Sequence, residues 1–402
     1  MAHRAGIQKR KKRLRYIPKT KEGIRTKTKT EFFFDYTLLF AIVFLLCFGL
    51  VMLYSVSYYD ASLNKGSSTW YLRKQAFASV LGLVGMMVVA NIDYHFWQKF
   101  AVPAYIVSVI LILLVKTKLG ITANGATRWI SIFGLSLQPA EVAKLGMIVF
   151  FASMICKMGG AIRTRKGIMV LLGSAVPIAL LIYIVTKNLS SAIIICGIVI
   201  LMLFVASPHY KYFILGGVGV LGIASAVVLV VSQGLLPEGT SFRLTRVQAW
   251  MNPEAYPTDQ GFQTLQALYA IGSGGIWGKG LGESMQKLGF LPEAQNDMVF
   301  SIICEELGLF GAFSIIMLFL LIIWRFMVIA NNAPDLYGAL LVVGILGHIA
   351  IQVILNLAVV TNTIPNTGIT LPFISYGGSS ILFLLTEIGL ALSVSRGIRL
   401  EK

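Results

Sequence analysis

Charge is what this sequence has least of. Only 13% of its 402 residues are Asp, Glu, Lys or Arg, about half the usual share in a soluble domain. Apolar residues make up 56% and mean hydropathy is +0.79. Such a surface cannot be kept in water, so the chain reads as a polytopic membrane protein. Acid is scarcest of all, with 17 Asp and Glu against 34 Lys and Arg. Four scattered histidines and the absence of HExxH exclude a zinc-hydrolase site. Cys47, Cys156, Cys196 and Cys304 lie in apolar runs without CxxC spacing and read as small buried side chains, which leaves no disulfide framework or thiolate metal site. The run GSGGIWGKGLG lacks the Walker lysine spacing and a preceding strand, which argues against nucleotide chemistry. No internal repeat supports a transporter of inverted halves. No small-residue cleavage site follows the first apolar run, so that run is a retained span rather than a signal peptide.

What is present is a series of ten apolar runs of about the length that crosses a bilayer. They fall at 36–57, 75–91, 100–115, 140–156, 168–186, 190–206, 212–233, 298–324, 337–360 and 375–394. The expected fold is an all-α integral membrane protein. A basic tail (1–35) precedes a ten-span domain (36–396), and a short C-terminus (397–402) follows it. Of the 34 basic residues, 12 lie in the first 29 positions. That tail reads as an anchor beside acidic headgroups and not as a nucleic-acid arm, so no nucleic-acid partner is expected. With the tail in the cytoplasm, Lys157, Arg163, Arg165, Lys166, Arg396, Arg399 and Lys402 fall on the same side, as the positive-inside rule asks. Both termini are then cytoplasmic, the segment 234–296 between helices 7 and 8 is one large extracytoplasmic loop, and Asp297 stands at the outer face.

Three segments on that outer side carry the informative chemistry. In NGATRWISIFGLSLQPAEVAK, a glycine turn and Arg128 precede a span opened by Pro139, where Pro costs no hydrogen bond. Glu141 and Lys144 then share one helix face, either as a structural ion pair or as the lining of a polar cavity open to a headgroup. In the large loop, glycines 272, 274, 275, 278, 280 and 282 permit positive φ and close approach of backbone N–H groups to an anion. Arg243, Arg246, Lys279 and Lys287 add the positive charge that a diphosphate needs. A surface loop with no ligand would also suit this composition. In NLAVVTNTIPNTGITLPFISYGGSS, Pro365, Pro372 and three glycines interrupt apolar spans, which is tolerated only when such backbone is buried in protein or lines a wet cavity. Thr367, Ser375, Tyr376, Ser379 and Ser380 would keep that cavity polar. Asp297, Glu305 and Glu306 lie at and beyond the start of the eighth span, and acids there need a reason. Glu305 and Glu306 read as hydrogen-bonded partners of neighbouring spans, and His348 as a satisfied core residue.

These segments together resemble the SEDS family (shape, elongation, division and sporulation proteins), its FtsW and SpoVE branch more than RodA. The resemblance covers about residues 36–396 through NGATRW, QPAEVAK, AIGSGG, GKGLGES, QKLGFLPEAQND, EELG and PNTGITLPFISYGGSS. It implies a peptidoglycan glycosyltransferase that polymerises lipid II on the outer face of the bacterial cytoplasmic membrane. The implied partners are a class B penicillin-binding protein and other divisome membrane proteins. Asp297 aligns with the family's essential aspartate. The family often has His-Thr before it where this chain has Gln295 and Asn296, which speaks against a direct role for an imidazole there.

Lipid II carries its own leaving group, so one base and some positive charge suffice. Asp297 is the expected general base for the C4 hydroxyl of the acceptor GlcNAc. Arg128, Arg243, Arg246 and Lys279, with a divalent cation (Mg or Mn) and no organic cofactor, would steady the diphosphate. Its place at the wet end of a span would keep Asp297 ionised. Glu141, Lys144, Lys287, Gln295, Ser375 and Ser379 complete the expected substrate contacts. A lipid II flippase would instead need polar groups staged across the whole bilayer, and a non-catalytic divisome scaffold would need neither Asp297 nor interrupted spans.

Overall fold

The computed structural model describes residues 31–123, 126–132, 135–233, 242–256 and 260–400. Among them, nine helices are long and apolar enough to cross a membrane. These are α1 (Tyr36–Asn64), α2 (Trp70–Asn91), α5 (Pro139–Met158), α6 (Arg165–Val185), α7 (Leu189–Ala206), α8 (Tyr210–Ser232), α11 (Val299–Asn332), α12 (Leu336–Val360) and α13 (Gly378–Gly397). The expected third span is a shorter apolar helix, α4 (Ala101–Leu114), preceded by the one-turn α3 (Tyr94–Gln98). Two more helices, α9 (Phe242–Met251) and α10 (Gln260–Gly274), lie between α8 and α11. The segment expected to be a loop thus carries two helices.

Polar caps set where the spans begin. Asp35 accepts from Leu38 N at 2.9 Å, Asn188 from Ser191 N at 3.0 Å and Asp335 from Gly338 N at 2.8 Å, each filling an orphan donor of a first helical turn. The Asp35 carboxylate also receives Arg325, with Nη2 to Oδ2 at 2.7 Å. That pair corrects the expected end of the eighth run at Trp324: with its guanidinium matched by a buried acid, α11 continues to Asn332.

Short strands add detail absent from the all-helical expectation. Strands β2 (Gly120–Ala123), β3 (Ala126–Ile132) and β4 (Leu135–Leu137) form an antiparallel sheet between α4 and α5. Strand β1 (Glu31–Phe32) pairs antiparallel with β5 (Arg399–Leu400), Glu31 opposite Leu400. This pairing brings the two ends of the membrane domain to one face, as an even number of crossings requires. Helices α12 and α13 are the most enclosed, whereas α8 is almost wholly exposed along its length.

Candidate active site

Asp297 ends the turn that leads into α11, on the face opposite β1 and β5. Only 7% of it is exposed, and its Oδ1 is buried without a hydrogen-bond partner. Four pieces of chain build its surroundings. Arg246 of α9 donates to Asn366 O at 3.2 Å, Asn366 Nδ2 donates to Gln263 Oε1 of α10 at 2.8 Å, and Gln263 Nε2 donates to Pro292 O at 3.2 Å. From α12, Asn356 Nδ2 donates to Asp297 O and to Ile369 O, both at 2.7 Å. Gly368, at φ +67°, lies against the carboxylate, and a Cβ there would stand 3.8 Å from Asp297 Oδ2. The segment 361–377 is therefore folded against the turn that carries Asp297. The irregular backbone read from its prolines and glycines is buried in protein, as the bilayer demands.

Burial, first, and the neighbouring Glu293 charge, second, push the Asp297 carboxyl up to about 7, while its own backbone N–H and Arg246 oppose the rise. The side chain is enclosed, so the expectation that wetness keeps it ionised is corrected. Its state is set by the balance of desolvation against Arg246.

Lys279 and Lys287 were expected to face a diphosphate, but both are committed to carboxylates. Lys279 Nζ lies 2.7 Å from Glu305 Oε1, and Lys287 Nζ lies 2.7 Å from Glu306 Oε1. Both acids have no exposed surface. Glu305 also accepts from Ser284 Oγ and from the N–H groups of Met285 and Gln286 at 3.2 and 3.3 Å, and Glu306 accepts from Ser55 Oγ of α1 at 2.7 Å. The two acids thus bind a loop to the helix more than they bind span to span.

The same loop exploits a break in α11. Gly308 has φ +66° and ψ −166°, so the helix runs in two pieces. The freed carbonyls of Glu305 and Glu306 accept from Lys279 N and Gly280 N, and Leu309 N donates to Gly275 O, each at 2.9 Å. A Cβ at Gly278 would meet Glu306 O at 2.2 Å, and one at Gly308 would meet Gly278 N at 2.3 Å. This glycine run brings backbone to backbone across the broken helix, which corrects the reading that its N–H groups wait for an anion.

Glu141 and Lys144 form the expected pair at 2.8 Å, buried to 5% and 1% exposure. Ser380 Oγ donates to Glu141 at 3.3 Å, and Lys144 Nζ donates to Gln352 Oε1 at 3.4 Å. His348 lies 2.9 Å from the same Gln352 oxygen and 2.8 Å from Glu387, a satisfied core residue. Ser375 is spent on the backbone, accepting from Leu371 N at 2.8 Å. Gln295 is half-buried and its carbonyl accepts from Tyr376 N at 2.9 Å. Ser379 is half-buried near the start of α13. Arg128 on β3 buries its Nε without a partner, and burial lowers its pKa. Arg243 lies on α9, but its side chain is outside the described residues, as are Asn124 and Gly125 of the expected glycine turn. The structure therefore gathers Asp297, Gln295 and Arg246, places Glu141 with Lys144 in a separate buried pair, and seats an exposed Lys279 and a buried Lys287 on the adjacent acids Glu305 and Glu306.

Asn356 and Gln263 are not singled out by the sequence reading, and Gly368 enters it only as one of the three glycines that interrupt an apolar span. A signal for Asn356 exists in the sequence: His348, Gln352 and Asn356 repeat every fourth residue along an apolar span, which draws one polar stripe on a helix.

A family model described as cell cycle protein, FtsW/RodA/SpoVE, matches residues 36–399. Stage V sporulation protein E of Bacillus subtilis (strain 168) is 38% identical over 364 residues, 90% of this chain and 97% of its own length. A probable peptidoglycan glycosyltransferase FtsW of Trichlorobacter lovleyi is 39% identical over 376 residues, 91% of this chain and 94% of its own. Among solved structures, a chain from work on the coordination of polymerization and crosslinking by a peptidoglycan synthase complex is similar at TM-score 0.73 and 26% identity, over 90% of this chain and 98% of that one. The Thermus thermophilus rod shape determining protein RodA is similar at TM-score 0.65 and 26% identity, over 90% and 97%.

Proposed function

Because the chain belongs to the FtsW/RodA/SpoVE family of cell cycle proteins, we propose that its peptidoglycan glycosyltransferase activity is carried by Asp297 acting as general base. It is a multi-pass membrane enzyme of wall synthesis, with lipid II as its substrate. The acceptor's C4 oxygen attacks the anomeric carbon of the donor MurNAc while its proton passes to the Asp297 carboxylate. The bond from that carbon to the diphosphate breaks, and the lipid diphosphate leaves with the electron pair, which inverts the configuration. The observation that carries this reading is a carboxylate 7% exposed with one oxygen unpartnered. Its pKa of about 7 suits a base at neutral pH, neither too weak to accept a proton nor protonated throughout.

Arg246, anchored through Asn366 and close enough to oppose the rise in the Asp297 pKa, and Arg128, with its buried Nε unmatched, are the cations for the diphosphate. Arg243 on α9 is assigned with them. Lys279 and Lys287 act one step back, holding the broken α11 in place. The described residues offer no cluster of three ligating side chains for a metal. A divalent ion, Mg or Mn, would therefore be one carried in on the diphosphate, a common way of holding Mg. Such an ion would supply neutralising charge to the leaving group. Asp297 faces the outer side of the membrane in this reading, and a class B penicillin-binding protein crosslinks the glycan made.

The test is polymerisation of lipid II by the purified protein, with and without a class B partner. Asp297→Asn and Asp297→Ala should abolish glycan while leaving the elution volume and partner binding as in wild type. Glycan from either variant would remove Asp297 from the mechanism. Movement of labelled lipid II across vesicles without acceptor and without polymer would favour a flippase.

A further inference from the structure

We infer that Asn356 is a positioning residue for the reaction, its carboxamide clamping the backbone of the base to the segment 361–377. The inference rests on the assignment of Asp297 as base. Asn356 has no exposed surface, and both contacts of its Nδ2 are backbone carbonyls at 2.7 Å, one on Asp297 and one on Ile369. The two carbonyls belong to separate stretches of chain 72 residues apart (369 less 297). Both are joined by one amide on a third element, α12. Asn356 Oδ1 itself is buried without a partner. A polar side chain that leaves its own acceptor unsatisfied in the core is held for its donors, because an orphaned buried acceptor is costly.

The clamp bears on the reacting group through short covalent paths. The Asp297 carbonyl is three bonds from Cβ along its own residue, so a shift of that peptide moves the carboxylate. Ile369 is adjacent to Gly368, whose backbone lies against the carboxylate. Asn356 therefore sets the separation between the base and the wall it faces, while touching neither carboxylate oxygen. A misplacement of about 1 Å at a reacting group can cost about 100-fold in rate.

The experiment compares kcat and KM for lipid II polymerisation in full-length protein with its class B partner. Asn356→Leu keeps the volume and deletes the donors. It should lower kcat by about 10- to 100-fold with KM within about twofold, since the diphosphate-binding arginines do not touch Asn356. Trp250→Phe is the control: it removes another anchor of the same segment, Trp250 Nε1 to Asn362 O at 2.9 Å, without touching Asp297, and should leave kcat within about threefold. If Asn356→Leu does not fold, Asn356→Ser, which keeps one hydroxyl donor, carries the comparison, with a smaller loss in kcat expected. Wild-type kcat in the folded Asn356 variant, or equal losses in it and in Trp250→Phe, would overturn the inference. Asp297→Ala run alongside keeps the two readings apart, because wild-type activity there sinks the base itself, whereas its loss with an unaffected Asn356 variant sinks only the clamp.

Discussion

At the scale of the residue, the function turns on how one acid is kept ready. Burial and Glu293 push the Asp297 carboxyl up to about 7 and Arg246 opposes them. A base must be ionised, so activity is lost as pH falls through that value. The expected kcat/KM profile, which reports the free enzyme, has its acid limb near pH 7, with a rate about tenfold lower at pH 6 than at pH 8. A profile flat down to pH 5 would contradict this. The signs of the flanking charges follow from the same balance. Glu293→Gln removes a negative neighbour and should move the acid limb to lower pH; Arg246→Gln removes a positive one and should move it higher while also raising KM. None of this was legible in the sequence beyond the identity of Asp297. Its enclosure depends on Gly368 and Asn356, which approach from far along the chain, and the same residue in open water would have an ordinary carboxylate pKa.

At the scale of the element, α11 is the part that hydropathy described least well. Its run of apolar residues reads as one continuous span, yet the helix is cut at Gly308 and repaired by loop backbone from Gly275 to Gly280. Periodicity cannot reveal a break when the residues on either side are as apolar as the rest. Only the EELG motif, two adjacent acids before a glycine, hints that something polar must meet the helix there. The two lysines that do so are 26 and 19 residues away from their acids, spacings that no helical pattern connects. Gly308→Ala would place a Cβ 2.3 Å from Gly278 N in a backbone region open to little but glycine. It should cost about 1–3 kcal/mol of strain before any clash is counted, read as a fall in Tm in detergent. Gly282→Ala, at φ +90° with nothing within 4 Å, should bear only the strain and melt closer to wild type. Breaking the enclosed pair by Lys287→Met should cost about 3–5 kcal/mol, and Glu306→Gln added to it should recover part of that loss, because the penalty is mostly that of an unmatched buried carboxylate.

At the scale of the whole molecule, the ten apolar runs and their order were legible because the bilayer imposes length and composition on each span. What hydropathy left open is which face looks outward. The structure joins the terminal strands β1 and β5 on one face, and α11, at about 1.5 Å per residue, carries the chain from Asp297 to Asn332, far on the other side. We propose that the basic tail, with 12 of its first 29 residues Lys or Arg, draws the face of the terminal strands to the cytoplasm, as the positive-inside rule asks. If so, Glu283, exposed on the Asp297 side, and Asn332, exposed at the far end of α11, report opposite compartments. In a background with Cys47, Cys156, Cys196 and Cys304 replaced by alanine, Glu283→Cys should react with a membrane-impermeant maleimide added to intact spheroplasts, and Asn332→Cys only after lysis. The reverse pattern would turn Asp297 toward the cytoplasm. A base on that side could not extend a glycan outside the membrane without a separate transport step, so the proposed chemistry and this labelling experiment stand or fall together.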